Sequence, residues 1–235
     1  MSGLGAVLRG SARRFPAGRV PAAVAVALPL LAFGSTEAEG QQQGLAVLEA
    51  AAERYGVASS VCADFVQVRS VPLLGEEVTQ RGRLCSADPN LFAMRFTDPE
   101  GNVIVSDGAT QWIYRPSDNP GQVFRGVIGP NTGGQDFYRE VLQEPATKYE
   151  VTCSEREEIG GRLTHRLCLR QRTAARDRPD MVWIDVDRPV VRQIHFREEN
   201  GSERTITLSD VAFDVQPPAG WFSFTPPSGA VVIEM

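Results

Sequence analysis

The sequence has few of the residues and patterns that carry enzyme chemistry. Its 235 residues include two histidines, His165 and His195, and an isolated histidine in a strand is more often a packing or surface residue than a catalyst. HExxH, CxxC, GxSxG and glycine-rich phosphate-binding patterns are all missing. Asp107 precedes Gly108, so its side chain is expected to cap a turn. We therefore predict no catalytic residue, no metal site, no cofactor and a protein that is not an enzyme.

Lysine is almost absent, and the overall charge is negative. Lys148 is the only lysine, so arginine carries nearly all the positive charge, and the net charge is −5. Four of the 24 basic and one of the 29 acidic residues lie in residues 1–38, which leaves −8 for residues 39–235. An acidic surface repels nucleic acid and anionic lipid heads. The composition therefore predicts no nucleic-acid partner.

No apolar run reaches the length of a membrane span. The uncharged stretch Val20–Gly34 is about 15 residues long, whereas a spanning helix needs roughly 20. Arginines precede this stretch and small residues follow it, which is the arrangement of a cleavable signal peptide. We expect a signal peptide at residues 1–38 and one exported domain at residues 39–235. A membrane anchor is the alternative.

The four cysteines allow three pairings, and four reduced thiols are a further alternative. They are Cys62, Cys85, Cys153 and Cys168. A hairpin with its tip between Leu73 and Leu74 places Cys62 opposite Cys85. A turn at Gly160-Gly161 places Cys153 opposite Cys168. Alternation groups Cys153 with Tyr149 and Val151 but Cys168 with Thr164 and Arg166, so we expect a one-residue bulge at the glycines. We predict disulfides Cys62–Cys85 and Cys153–Cys168.

Alternating apolar residues separated by turn residues predict a mostly β fold of the α+β class. The stretch Gln80–Tyr114 indicates several consecutive strands, and further strands follow from Tyr149 onward. Gly44–Ser60 and Gln135–Gln143 have helical periodicity. We expect an open half-barrel antiparallel sheet of nine to eleven strands, with an N-terminal helix and a short inserted lid helix on its concave face.

One face of this sheet is predicted to be large, apolar and aromatic. Period-two spacing assigns to it the side chains of Phe65, Leu84, Phe92, Met94, Phe96, Trp112, Tyr114, Trp183 and Phe196. The lid helix pairs Phe137 with Val141 and Tyr138 with Leu142 at i,i+4 spacing. Two interpretations remain open, because this face is either a permanent core beneath the helices or a cavity for an apolar ligand.

A series of short motifs in fixed order resembles the outer-membrane lipoprotein carrier (LolA) family. The motifs are Phe65-x-Gln67, Gln80 with Gly82, Pro89-Asn-Leu-Phe92, Asp98-Pro99, Val105-Ser-Asp-Gly108, Trp112-x-Tyr114 and Phe222-x-Phe224-Thr-Pro-Pro-x-Gly229. The resemblance implies a soluble, monomeric periplasmic carrier with a helical lid. It also implies three partners: acylated lipoproteins, an inner-membrane ABC-type releasing complex and an outer-membrane lipoprotein receptor.

The chain departs from the family pattern at the position that ties down the lid. The family has an arginine before Pro-Asn-Leu-Phe, and here that position is Asp88. Arg81, Arg83 or Arg95 is a candidate substitute, or apolar contacts alone hold the lid. This departure keeps two alternative functions open: a periplasmic binding module for another lipid, or a regulatory domain that senses lipoproteins.

Overall fold

The computed structural model describes residues 35–235, apart from residues 74, 129–135, 173–178 and 198–200. The predicted signal peptide lies almost entirely outside the described residues, so it and the boundary at residue 38 stay predictions. In the described part of the chain, no helix is long and apolar enough to cross a membrane.

The described elements are three helices and twelve strands. The helices are α1 (Ser35–Gly56), α2 (Phe137–Leu142) and α3 (Pro145–Lys148). The strands are β1 (Ser60–Val71), β2 (Glu76–Ala87), β3 (Leu91–Asp98), β4 (Glu100–Asp107), β5 (Thr110–Tyr114), β6 (Gln122–Val127), β7 (Tyr149–Ile159), β8 (Arg162–Gln171), β9 (Pro179–Asp185), β10 (Val191–Arg197), β11 (Glu203–Phe213) and β12 (Val231–Glu234).

All twelve strands form one open sheet, in the order β12-β6-β5-β4-β3-β2-β1-β11-β10-β9-β8-β7. This confirms the predicted mostly β fold with an N-terminal helix and a short inserted helix. The strand number is one above the predicted range. The short C-terminal strand also pairs with β6 in the parallel direction, so the sheet is largely but not wholly antiparallel.

Hairpin connections explain most of this order, and their turns follow from local chemistry. Between β4 and β5, the Asp107 carboxylate accepts hydrogen bonds from the backbone N–H groups of Ala109 and Thr110, at 3.0 and 2.8 Å. Gly108 has a φ of 95°, which a residue without a Cβ adopts freely. The Asp107 side chain therefore caps this turn, as the sequence predicted.

The main core lies between one face of the sheet and the helices, and we call this face the inner face. Buried residues from β1–β4 and β7–β11 form a single cluster with Leu48 of α1 and with Tyr138, Val141 and Leu142 of α2. The opposite, outer face carries a smaller cluster, in which Val103 and Val105 meet the C-terminal segment at Trp221, Phe222 and Phe224.

Arg95 fastens the C-terminal segment to the outer face. Its guanidinium donates hydrogen bonds to the backbone carbonyls of Gly220, Trp221 and Ser223, at 2.9–3.2 Å. Beyond this clamp the chain turns at Pro226-Pro227 and continues as β12 beside β6. The segment that leads to β12 is therefore anchored on the outer face, and β12 itself lies at one edge of the sheet.

The structure contains both of the predicted disulfides. Cys62–Cys85 joins β1 to β2, and Cys153–Cys168 joins β7 to β8. The bulge expected at the glycines is not present, and the second pair does not need one. The Gly160-Gly161 turn closes regularly with Ile159 opposite Arg162, and the same register places Cys153 directly opposite Cys168. The register shifts only beyond this pair, between Val151 and Cys153.

Candidate functional site

Six of the predicted cavity residues lie together on the inner face and are buried there. They are Phe65, Leu84, Phe92, Met94, Phe96 and Phe196. Phe65 and Phe96 meet edge to face, with ring centroids 5.1 Å apart. Gly82 makes this contact possible, because a Cβ at that position would lie 2.9 Å from Phe65 Cε1 and 2.2 Å from the Arg95 carbonyl oxygen. The inner face is thus a continuous apolar and aromatic surface, as its spacing predicted.

Trp112 and Tyr114 belong to the outer face, which corrects the prediction for both. Both rings pack against Phe224 of the C-terminal segment, at centroid distances of 6.0 and 5.7 Å. The cause is the two-residue turn between β4 and β5. It pairs Ile104 with Ile113, so even-numbered positions of β4 share a face with odd-numbered positions of β5. The prediction placed Phe92 and Trp112 on one face because both positions are even-numbered, and this rule fails across that turn.

Trp183 also lies outside the inner-face cluster. Its neighbours Val182 and Ile184 are both in that cluster, so alternation along β9 turns Trp183 to the outer face. There its indole N–H donates a hydrogen bond to the Glu157 carboxylate at 2.9 Å. Because Met181–Val186 is apolar on both faces, its sequence did not indicate which set points inward.

The short helix α2 covers part of the inner face. Tyr138, Val141 and Leu142 are buried in the main core, and the Tyr138 ring lies 4.9 Å from the Tyr55 ring of α1. The side chain of Phe137, the fourth predicted lid residue, lies outside the described residues. With six residues, α2 is too short to be stable alone, so it depends on this packing.

Asp136 fastens the beginning of α2 to the sheet. Its carboxylate accepts hydrogen bonds from the Arg139 backbone N–H at 3.2 Å and from the Ser86 hydroxyl of β2 at 3.0 Å. Burial raises the pKa of Asp136 above its ordinary value, and these hydrogen bonds oppose that rise. The cap therefore joins the lid helix directly to the rim of the inner face.

Arg139 forms a second connection between lid and sheet. Its guanidinium donates a hydrogen bond to the side-chain oxygen of Asn90, which follows β2. The resemblance led us to expect an arginine on the sheet that reaches the lid. Here the arginine is on the lid, and its acceptor lies two residues beyond Asp88, which itself is exposed at the rim.

None of the three predicted substitutes for the lid-holding arginine contacts the lid through a hydrogen bond or ion pair that the structure describes. Arg81 pairs with Asp98 at 3.3 Å, and Arg83 pairs with Asp64 at 2.6 Å. Arg95 holds the C-terminal segment on the outer face. A signal for the actual connection existed in the sequence, since Asp136 precedes a helical run as an N-cap residue does, and Arg139 lies one turn later.

A cavity of about 250 Å³ lies at the rim, between the end of α1, the start of β1, the end of β2 and α2. Its lining combines apolar groups such as Leu142 with the polar side chains of Ser86, Asp88, Asp136 and Arg139. Elsewhere on the helix-covered inner face, buried side chains of α1 and α2 pack directly against the sheet. In this closed arrangement, these side chains lie against the apolar residues that were predicted to line a cavity.

The two histidines lie away from this cavity. His195 is on the outer face, where its Nδ1 atom is bonded to the Asp180 carboxylate and its Nε2 atom is 3.8 Å from Glu203. The bond to Asp180 raises the pKa of His195 above its ordinary value. Among the described residues, no group of histidine, cysteine, aspartate and glutamate side chains is arranged to hold a metal ion.

Comparison with known proteins identifies one family over part of the chain. Residues 57–121 match the family model described as "Outer membrane lipoprotein carrier protein LolA". An outer-membrane lipoprotein carrier protein of Photorhabdus laumondii is 38% identical over 64 residues, which is 27% of this chain and 32% of that protein. One of Glaesserella parasuis is 42% identical over 66 residues, 27% of this chain and 31% of that protein. The chain thus spans about a third of the length of the curated relatives it matches.

Solved structures give more extended but more distant similarity. An uncharacterized conserved protein from Thermus thermophilus has 15% identity and a TM-score of 0.47, with 83% of this chain and 98% of that chain covered. A LolA superfamily protein from Nitrosomonas europaea has 12% identity and a TM-score of 0.38, with coverage of 77% and 97%. The match of the family model to residues 57–121, between α1 and β6, shows the sequence signature of the LolA family there. It confirms, over that range, the resemblance that the motifs predicted.

Proposed function

We propose that this protein is a periplasmic chaperone that shields the acyl chains of lipoproteins against its inner face. It accepts them from an inner-membrane ABC-type releasing complex and delivers them to an outer-membrane receptor. The observation that carries the proposal is the apolar inner face beneath a six-residue helix. That helix is joined to the sheet by two side-chain connections, Asp136–Ser86 and Arg139–Asn90. The LolA-family signature of residues 57–121 supports the same assignment.

The chemistry of the cargo explains why such a carrier is needed. Exposing a hydrocarbon chain to water costs about 0.8 kcal/mol per CH₂ group, so a chain of about 16 carbons costs on the order of 12 kcal/mol. Free diffusion of a lipoprotein through an aqueous compartment is therefore negligible without a protein surface that covers the chain.

Uptake requires α2 to move, because its side chains fill the covered face. Burying a valine, leucine or similar side chain contributes about 1.5–3 kcal/mol, so Tyr138, Val141 and Leu142 together contribute roughly 5–9 kcal/mol. One acyl chain supplies more than this. The cargo therefore replaces the lid side chains with a net gain, while the lid still favours closure after the cargo leaves.

The proposed compartment agrees with the cysteine chemistry. Disulfides form and persist in oxidising compartments such as the bacterial periplasm and are rare in the cytosol. The two disulfides of this chain, together with the signal peptide predicted for residues 1–38, support export. We propose that the exported domain acts there as a soluble monomer.

The test is acceptance of a triacylated lipoprotein released from inner-membrane vesicles, followed by mass spectrometry of the carrier. Wild type is expected to form a one-to-one complex, and Phe92→Glu to form none, because it places a charge on the inner face. Val66→Glu is the matched control, since Val66 is an exposed apolar residue of β1. Circular dichroism must show that both variants fold.

A lid variant keeps the test decisive if Phe92→Glu does not fold. Tyr138→Ala with Leu142→Ala weakens closure without altering the sheet, so it is expected to accept cargo faster than wild type. An unchanged or slower rate would contradict the proposed role of α2. Tight binding of free fatty acid with no acceptance of lipoprotein would instead favour a binding module for another lipid. A stable complex with a signalling protein would favour a sensing domain.

A further inference from the structure

The inner face continues beyond the helices onto strands β5, β6 and β12. Cross-strand pairing aligns Met94, Ile104, Ile113, Phe124 and Ile233 in one row. Paired residues on neighbouring strands point to the same face, so this row starts in the main core and ends at the edge of the sheet. It contains only apolar side chains.

Burial decreases along this row from Met94 to Phe124, and Ile233 at the sheet edge is half-buried. Met94 and Ile104 are buried, Ile113 is half-buried against the core, and Phe124 is 38% exposed. Beside the row on the edge strand, Val231 and Met235 are 63% and 62% exposed. Scattered apolar residues on a surface need no explanation, but a contiguous group does. We call the group Ile113, Phe124, Val231, Ile233 and Met235 the shelf.

The two faces of β6 and β12 differ sharply in charge. On the outer face, Arg125 pairs with Glu234 at 3.3 Å and lies over the Trp112 ring. On the inner face, the positions of these strands carry Gln122, Phe124, Gly126, Val231, Ile233 and Met235, none of which has an ionisable side chain. A charged headgroup or a charged protein partner therefore finds no complementary group on the shelf.

Gly126 shapes the end of the shelf. A Cβ at this position would lie 3.1 Å from Met235 Cε, so the missing side chain lets Met235 fold over β6. The flexible thioether adapts to irregular apolar surfaces. The shelf is therefore a shallow apolar surface that borders the covered inner face on one side and the sheet edge on the other.

We propose that the shelf binds the distal part of a hydrocarbon chain whose proximal part lies beneath α2. This inference rests on the proposed function and adds where the far end of a long cargo chain binds. Four interstrand steps separate Met94 from Ile233, and each is about 4.8 Å, so the row is roughly 19 Å long. A long acyl chain lies along it across the strands, whereas a short chain ends beneath the lid.

The test compares saturated fatty acids of 8, 12 and 16 carbons by isothermal titration calorimetry. Phe124→Ser and Ile233→Ser remove apolar surface from the shelf. Val127→Ser and Val232→Ser are matched controls, because they remove exposed apolar side chains from the outer face of the same two strands. All four positions are at least partly exposed, so the variants are expected to fold.

In wild type, affinity is expected to rise with chain length, by up to about fourfold per buried CH₂. The shelf variants should lose at least about tenfold in affinity for the 16-carbon acid and less than twofold for the 8-carbon acid, and the controls should match wild type. Equal losses for both acids, or equal losses in the controls, would overturn the inference.

The outcomes separate the shelf from the proposed function. If shelf variants bind all three acids as wild type does while Phe92→Glu binds none, the shelf is refuted and the carrier stands. If wild type binds no fatty acid and accepts no lipoprotein, both fail. If sedimentation shows wild-type dimers that Ile233→Ser dissociates, the shelf is a contact between two copies of the chain, and the inference is overturned.

Discussion

In the proposed carrier, the hydrogen bond between Arg139 and Asn90 favours the closed lid, and its removal has a measurable consequence. Arg139→Met deletes the guanidinium but keeps an unbranched side chain on α2. Asn90→Gly deletes the acceptor and preserves the backbone, because Asn90 has a φ of 85° that glycine adopts freely. The two changes therefore remove the same bond from opposite sides.

The size of the effect follows from the exposure of the pair. A hydrogen bond to a charged group contributes about 1.5–3 kcal/mol when it is well shielded. The Arg139 side chain is 40% exposed, so solvent screening reduces this to about 1 kcal/mol. That energy corresponds to an increase of about fivefold in the equilibrium constant for lid opening.

Amide hydrogen exchange measures that constant directly. The Glu140 and Gln143 amides donate to the backbone carbonyls of Asp136 and Arg139, each at 3.0 Å. Both bonds form the helical turns of α2, so these amides are expected to exchange only when α2 opens. Each single variant is expected to accelerate their exchange about fivefold, and the double variant no more than that. Arg81→Met is the control, since it breaks an exposed ion pair on the sheet. If the effects of the two single changes add up in the double variant, or if neither change alters exchange, the Arg139–Asn90 hydrogen bond does not hold the lid.

Three further changes probe the scaffold. Gly82→Ala inserts a Cβ within 3 Å of Arg95, Phe96 and Phe65 and is expected to lower the free energy of unfolding by about 1–3 kcal/mol in urea titrations, whereas an unchanged midpoint would show that the strands can separate there. Asp180 raises the pKa of His195 above 6.5, so the Asp180–His195 interaction stabilises the fold fully below pH 6.5 and is lost as pH rises through the folded-state pKa. The unfolding midpoint of wild type should fall as pH rises through that range, and the midpoint of His195→Gln should not. Cys153→Ser with Cys168→Ser removes the disulfide that closes a loop of 15 residues and is expected to lower the free energy of unfolding by about 3 kcal/mol in denaturant titrations. An unfolding midpoint equal to that of wild type would contradict this prediction.

The sequence predicts the fold well because its signals are local. Alternation within each strand placed Phe92, Met94 and Phe96 together, and the turn residues marked most of the hairpins. The facing of Trp112 was wrong because it depends on how many residues the Asp107-Gly108 turn inserts between paired positions. One residue in that count moves every later side chain to the other face.

The lid connections were harder to predict because they join segments far apart in the chain. Ser86 and Asp136 are 50 residues apart, and Asn90 and Arg139 are 49 apart. The family pattern directed attention to Asp88, but the bond in this chain runs from the lid to the sheet. The shelf could not be predicted either, because the spacing of apolar residues in β12 and β6 does not indicate that the two strands pair in parallel.

The most direct test of hydrocarbon binding on the inner face is photocrosslinking with a palmitoyl probe that carries a diazirine in its chain. After irradiation, peptide mapping by mass spectrometry locates the residues that the chain touches. Adducts are expected on the β3 and β4 peptides that contain Met94 and Ile104, and on α2. Adducts confined to the outer-face cluster around Trp221 and Phe224, or no adduct at saturating probe, would contradict the account.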